Sequence, residues 1–219
     1  MIGLEIGGFS DRAIRILCVG AHSDDIEIGA GGTILELAQQ YPAAHVSWHV
    51  LSAEGQRADE ARDSAAYFTS GFAKAEIHIH EFPDGTFPAQ LGAIKRTLEA
   101  ARASFPAHIV FTHYRGDLHQ DHRTVAEVTW QTFRDHLILE YEILKFDGDL
   151  GVPNAYVPVS DEVRGIKLEG LRRFFETQRD KDWFTDDALS ALLRIRGVEC
   201  RSRSGYAEAF YCRKAVIFR

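Results

Sequence analysis

Arg15-Ile16-Leu17-Cys18-Val19-Gly20-Ala21 runs directly into His22-Ser23-Asp24-Asp25-Ile26-Glu27. The first seven residues form a continuous apolar run, the pattern of a strand buried on both faces of a sheet. The chain then places Ile28, Leu35 and Ala38 at helical spacing over Ile26–Gln40. This strand-then-helix unit recurs along the chain. His45–Ser52 reads as a strand and Arg57–Ser70 as an amphipathic helix. Glu76–Phe82 alternates at period two, and Leu91–Ser104 returns to helical spacing. His108–His113 is strand-like, Asp121–Asp135 is helical, and Ile143–Asp147 is expected as a fifth strand. Strands alternating with helices of this length predict βαβ units, hence an α/β fold with a mostly parallel sheet covered on both faces.

Beyond Gly148 the pattern weakens. Gly148–Pro158 reads as a loop, Val163–Arg179 as a charged helix, Asp186–Arg196 as a second helix and Phe210–Phe218 as a β-like tail. No repeat, low-complexity stretch or linker divides the chain, so residues 1–219 are expected to form a single domain. A chain of 219 residues with 45% hydrophobic and 26% charged residues has ordinary globular composition and needs no disulfide staple. The 25 basic and 32 acidic residues leave a net charge of −7, which argues against general binding to nucleic acid or anionic membrane. Cys18, Cys200 and Cys212 form no C-x-x-C pair, and their odd number fits a reducing compartment. Met1–Arg12 lacks the pattern of a signal peptide, and no run approaches a transmembrane segment, so a cytoplasmic location is expected. The oligomeric state stays open, a homo-oligomer included.

In an open parallel sheet, ligands bind beyond the carboxyl ends of the strands. Here those ends carry His22-Ser23-Asp24-Asp25, Glu54-Gly55-Gln56-Arg57, Pro83-Asp84-Gly85 and His113-Tyr114-Arg115-Gly116-Asp117-Leu118-His119-Gln120-Asp121-His122. The first and last are dense in metal-ligand types. Taken together, His22, Asp25 and His122 offer two imidazoles and a carboxylate, the donor set of a catalytic zinc site or of a non-haem Fe(II) triad. Asp24 stands beside the ligands without having to be one, so it is free to act as a base. His119 and His122 are spaced i, i+3 at a helix start, so one can bind metal while the other meets charge on a substrate. Either segment alone would read equally well as a polar helix start, with Ser23 or Asp24 as an N-cap. Their joint occurrence after two strands of one sheet favours a site. Gly29, Gly31 and Gly32 do not make a G-x-G-x-x-G fingerprint and are expected to let the helix pack closely on the sheet. The remaining histidines, including His49, His78 and His80, are assigned to packing or surface.

These residues resemble the LmbE/PIG-L family of metal-dependent N-acetylglucosaminyl deacetylases. That family carries an A-H-P-D-D-E-type motif after its first strand and an H-x-D-H motif after a later one. The corresponding residues here are Ala21-His22-Ser23-Asp24-Asp25-Ile26-Glu27 and His119-Gln120-Asp121-His122. Glu54-Gly55, Arg57, Glu60, Pro83-Asp84-Gly85, Pro153-Asn154-Ala155-Tyr156-Val157 and Tyr206-Ala207-Glu208-Ala209-Phe210 extend the likeness over most of the chain. The resemblance implies a Rossmann-like sheet, with His22, Asp25 and His122 holding Zn²⁺ (Fe²⁺ or another divalent metal being alternatives). It also implies Asp24 as general base and His119 as the group that stabilises the oxyanion or protonates the departing amine, oriented by Asp121. Arg57 and Asp84 would hold hydroxyls of a small amino-sugar substrate. Two positions depart from the family pattern. Ser23 stands where Pro is usual, and Asp117 stands where some members carry a Tyr, leaving Tyr114 as a substitute. The implied reaction is removal of acetyl from an N-acetylglucosamine-type sugar or conjugate. Alternatives are another metal-dependent amidohydrolase, an Fe(II) oxygenase on the same ligands, and a non-catalytic binding module.

Overall fold

A computed structural model describes residues 13–216. The Met1–Arg12 segment and residues 217 and 218 of the expected tail lie outside the described residues. The strands are β1 (Arg15–His22), β2 (His45–Ser52), β3 (Lys74–Ile79), β4 (Ile109–His113), β5 (Leu137–Tyr141), β6 (Ala155–Pro158) and β7 (Ala207–Cys212). The helices are α1 (Asp25–Gln40), α2 (Gln56–Thr69), α3 (Phe87–Ser104), α4 (Gln120–Thr132), α5 (Asp161–Phe174) and α6 (Asp186–Cys200). They build one sheet in the order β3-β2-β1-β4-β5-β7-β6. The first five are mutually parallel, and β7 runs antiparallel to both β5 and β6. The expected mostly parallel, Rossmann-like α/β sheet is what the chain forms.

The apolar run of β1 alternates between two cores because successive strand side chains point to opposite faces. Ile16 and Cys18 join Phe68 of α2 and Leu171 of α5 on one side. Leu17 and Val19 join Ile94 of α3 and Val128 of α4 on the other. Gly29 allows α1 to sit against β5. A Cβ there would fall 2.3 Å from the Tyr141 ring, so close packing on the sheet is the reason for this glycine.

The second half differs from the expectation in four places, one being the tail, where the strand is Ala207–Cys212 and not Phe210–Phe218. The fifth strand is Leu137–Tyr141, paired with β4 from Ile109↔Leu137 to His113↔Tyr141, and Ile143–Asp147 is loop. Ile143 is buried without being in the sheet, so its apolar character signalled core and not strand. The expected Gly148–Pro158 loop contains β6, which pairs with β7 through Ala155↔Phe210 to Pro158↔Ala207. The expected helix Val163–Arg179 begins earlier, where Ser160 Oγ accepts from the Val163 N–H, and ends at Phe174. Glu60 of α2 accepts both the N–H (3.0 Å) and the hydroxyl (2.6 Å) of Thr177, drawing the chain into a 3₁₀ turn over Glu176–Gln178.

A buried ion pair fastens the far edge of the sheet to α1. Glu208 of β7 accepts the N–H groups of Gly32 (2.7 Å) and Thr33 (2.6 Å), in the middle of α1. Lys167 of α5 donates to the Ile28 carbonyl (2.7 Å) and to Glu208 (2.6 Å). The Ile28 carbonyl is the acceptor that Gly32 would use in a regular helix, so this pair is inserted into the helical ladder of α1. That arrangement accounts for the Tyr206-Ala207-Glu208-Ala209-Phe210 stretch in terms of packing.

Candidate metal centre

Strand order reverses between β1 and β4, each of which is followed by a helix on the opposite face, and this is where open α/β sheets bind ligands. His22 is the last residue of β1 and Asp25 the first of α1. His122 lies in the first turn of α4, which follows β4. The topology therefore brings the two sequence motifs, a hundred residues apart, into contact.

His22, Asp25 and His122 form a triangle of donors. His22 Nδ1 lies 3.2 Å from His122 Nε2 and 3.4 Å from Asp25 Oδ2, and His122 Nε2 lies 3.4 Å from Asp25 Oδ1. A tetrahedral centre with bonds of about 2.0–2.1 Å places its donors roughly 3.3 Å apart. The edge between the two imidazoles has the dimension of such a centre, each imidazole reaches one of the two Asp25 oxygens at a similar distance, and all three residues are buried with their donor atoms within 4.8 Å of one another. The donors are held by their other atoms as well. Asp25 Oδ2 accepts the His22 N–H at 2.6 Å, and His113 Nε2, at the end of β4, lies 3.1 Å from the same oxygen. His122 Nδ1 lies 2.9 Å from Asp117 Oδ2. His22 Nε2 lies 3.0 Å from Asp84 Oδ1 and 3.3 Å from Asp121 Oδ2. Carboxylates on the outer ring nitrogens fix the tautomers so that His22 Nδ1 and His122 Nε2 present lone pairs inward. The residues present therefore fit a divalent metal with nitrogen and oxygen ligands.

The same contacts set the proton affinities of the centre. Burial draws the His22 pKa down, yet its bonds to Asp121, Asp25 and Asp84 outweigh this and hold it well above the ordinary imidazole value. Burial likewise opposes protonation of His122, but the Asp25 charge and the Asp117 bond push its pKa up to about 9. Burial would raise Asp25, and the charges of His122 and His113 bring it well below the carboxylate range. Burial and the His122 charge lower His113 to about 4. Protons and a metal thus compete for the same lone pairs.

The remaining expected residues border this triangle. Asp24 occupies the N-cap position of α1 but makes no side-chain capping bond, so neither it nor Ser23 acts as the polar cap. The Asp24 carboxylate is 3.7 Å from Arg57, and burial, then the Asp25 charge, raises its pKa. Arg57 bridges outward, with Nε donating to Ser23 Oγ at 3.1 Å and Nη1 3.8 Å from Asp84. Ser23, at the position of the usual Pro, is therefore the anchor of Arg57. His119 is the N-cap of α4. Its Nδ1 accepts the Asp121 N–H at 3.3 Å, which leaves Nε2–H as a donor, and its ring lies 4.5 Å from that of His122. Burial, then His122 and His22, lower its pKa and favour the neutral ring.

One orientation differs from the expectation. Asp121 orients His119 through its backbone N–H, while its carboxylate turns to other partners. That carboxylate accepts from the Gly85 (2.7 Å) and Phe87 (3.0 Å) N–H groups and faces His22. Asp121 is thus a support for His22 and for the Asp84 loop. Tyr114 stacks on Tyr211, with ring centroids 3.8 Å apart. The position where some relatives carry Tyr is filled by Asp117 holding His122. Asp117 was singled out only as a departure from the family pattern, and His113 and Lys145 were not singled out by the sequence. The nearest signal was His113 at a strand end and Asp117 two residues before His119.

Comparison with known proteins agrees with this geometry. The model of the PIG-L family, described as GlcNAc-PI de-N-acetylase, matches residues 17–133, just over half of the chain. The chain belongs to the PIG-L family. The Escherichia coli K12 protein YaiS, described as an uncharacterized deacetylase, is 30% identical over 170 residues, covering 72% of this chain and 89% of that protein. The N,N'-diacetylchitobiose deacetylase of Pyrococcus horikoshii superposes with a TM-score of 0.69 at 19% identity, over 92% of this chain and 84% of that one. GalB of Pseudomonas putida KT2440, a 4-carboxy-2-hydroxymuconate hydratase, superposes with a TM-score of 0.73 at 17% identity, over 94% and 98%. At these identities the solved structures show the shared fold, and a fold that also carries a hydratase does not itself fix the reaction. The PIG-L match identifies an N-deacetylase, and the His/Asp/His triangle is its candidate metal site. Among the described residues no helix is long and apolar enough to cross a membrane.

Proposed function

We propose that this PIG-L member is a zinc-dependent hydrolase that releases acetate from an N-acetylglucosamine-type amino sugar or a small conjugate of one. The observation that carries the proposal is the buried donor cluster of His22, Asp25 and His122, with imidazole nitrogens 3.2 Å apart, each 3.4 Å from an Asp25 oxygen, and a carboxylate behind each imidazole. A metal held there supplies Lewis acidity to the acetamide and lowers the pKa of a water. The chain's own groups do the rest. Asp24, free of capping duty, takes the proton of the attacking water, and its raised pKa suits it to hold and then release that proton. His119 donates Nε2–H to the carbonyl oxygen as negative charge develops there, which is worth most in a site that excludes water. Arg57 and Asp84, at the open rim with side chains 31% and 57% exposed, bind sugar hydroxyls and orient the acetamide.

An Fe(II) oxygenase on the same ligands would leave Asp24 and His119 without roles. We also read residues 1–219 as one LmbE-like domain, which the unbroken seven-stranded sheet supports, and as cytoplasmic. The test is metal analysis of the purified protein combined with acetate release from a panel of N-acetylglucosamine conjugates. Release that requires bound metal is expected. Metal-loaded protein that releases no acetate from any N-acetyl sugar would overturn the substrate class, and would favour water-addition chemistry of the hydratase kind.

A further inference from the structure

The loop that replaces the expected Ile143–Asp147 strand sends one side chain back into the wall of the metal centre. Lys145 has a side chain only 9% exposed, and its Nζ lies 3.1 Å from Asp117 Oδ2. It also pairs with Asp149, which accepts the Leu118 N–H at 2.7 Å. Asp117 is the residue that sets both histidines of the α4 motif. Its Oδ2 accepts from His122 Nδ1 at 2.9 Å, and its Oδ1 accepts the His119 backbone N–H at 2.8 Å. Two carboxylates, Asp117 and Asp149, are thus held close together beneath the centre with the Lys145 ammonium between them. Lys145 lies beyond residues 17–133, the part of the chain that the family model covers.

We propose that Lys145 is a positioning residue of the metal centre, clamping Asp117 against His122 so that the ring keeps Nε2 directed at the metal. The inference rests on the reading of His22, Asp25 and His122 as ligands. Its physical basis is direct. A carboxylate that orients a ligating histidine must itself be held, and removing the cation from a buried ion pair leaves an uncompensated charge that has reason to move. Without Lys145, Asp117 and Asp149 repel one another, Asp117 has a reason to swing toward solvent, and His122 loses the contact that fixes its tautomer and ring angle. Metal–imidazole bonds depend on that angle, so the effect reaches the metal without Lys145 touching it.

The test compares zinc affinity, by chelator competition, and the Co²⁺ ligand-field spectrum across the full-length chain and its variants. These are His122→Ala, Lys145→Met, Lys145→Arg, Asp117→Asn and the double variant of Asp117→Asn with Lys145→Met. Lys145→Met is expected to weaken zinc affinity about 10–100-fold and to alter the Co²⁺ spectrum. Lys145→Arg, which keeps the cation, is expected to restore both. If Lys145 acts through Asp117, the Met substitution costs nothing further in the Asp117→Asn background. Wild-type affinity in Lys145→Met, or a loss that adds in full to that of Asp117→Asn, would show that Lys145 merely ties down its loop. Should Lys145→Met not fold, Lys145→Gln takes its place under the same criteria. The two readings fail separately. A wild-type chain that binds no zinc sinks the metal centre itself, whereas zinc lost in His122→Ala but retained in Lys145→Met sinks only the role of Lys145.

Discussion

Metal affinity should rise steeply with pH, and the size of the effect follows from His122. Its Nε2 must give up a proton to bind metal, and the surrounding carboxylates push its pKa up to about 9. At pH 7 the solution is about two pH units below that value, so displacing the proton costs about 3 kcal/mol. Apparent affinity at pH 7 is then about 100-fold below its plateau, falling about tenfold for each further unit of acidification. His22, also held well above the ordinary value, adds to the slope. The metal-free fold shows the opposite trend in the same range. Because the His122 pKa is raised on folding, its contribution to stability is fully present below about pH 6.5 and is lost as pH climbs through about 9. His113, depressed to about 4, costs stability as pH falls from about 6.5 toward 4. Metal-free protein should therefore be most stable near pH 6.5, and metal should shift that optimum upward. Chelator-buffered zinc titrations from pH 6 to 8, with urea unfolding of the metal-free chain in the same buffers, measure both. A zinc affinity that stays flat over this range would refute the reasoning, since the donors would then not be the protonated pair.

Asp24→Asn should keep metal and fold yet lose activity about 10²–10⁴-fold, the usual worth of a general base, whereas Asp25→Asn should purify with little metal. Metal content and acetate release measured on both variants check this, and the reverse pattern means that the two assignments are swapped. Arg57→Ala and Asp84→Ala should retain metal, since Asp121 still supports His22 Nε2 at 3.3 Å, while kcat/KM falls on the true substrate, because remote contacts position the acetamide; unchanged kinetics would return both to a structural role. Lys167→Met leaves Glu208 buried without its cation, and both side chains are only 2% exposed. It should cost about 3–5 kcal/mol in urea unfolding, and an unchanged midpoint would show that the pair does not hold α1 to the sheet.

The fold was legible wherever a strand's apolar run ended at a turn. β1 and β2 declare themselves because their residues are buried on both faces, and the helices after them are long and periodic. β5 was not legible, since Leu137-Ile138-Leu139 and Ile143-Leu144 are two apolar runs in quick succession, and only pairing with β4 decides which of them is strand. The four-residue β6 exists because β7 is beside it. At the site, His22, Asp25 and His122 were readable because their residue types carry the chemistry. His113, Lys145 and the role of Asp117 were not, because an aspartate before a helix and a lysine in a loop look the same whether they face water or a ligand. The direction of the Asp121 carboxylate was equally hidden, being set by the Gly85 and Phe87 N–H groups of a separate element.

The most direct test of the central claim is an anomalous-difference map from crystals of the zinc-loaded protein, recorded at the zinc edge. The account predicts one strong peak bounded by His22 Nδ1, a carboxylate oxygen of Asp25 and His122 Nε2, at about 2.0–2.2 Å from each. Zinc bound elsewhere, with this triangle holding none, would contradict it.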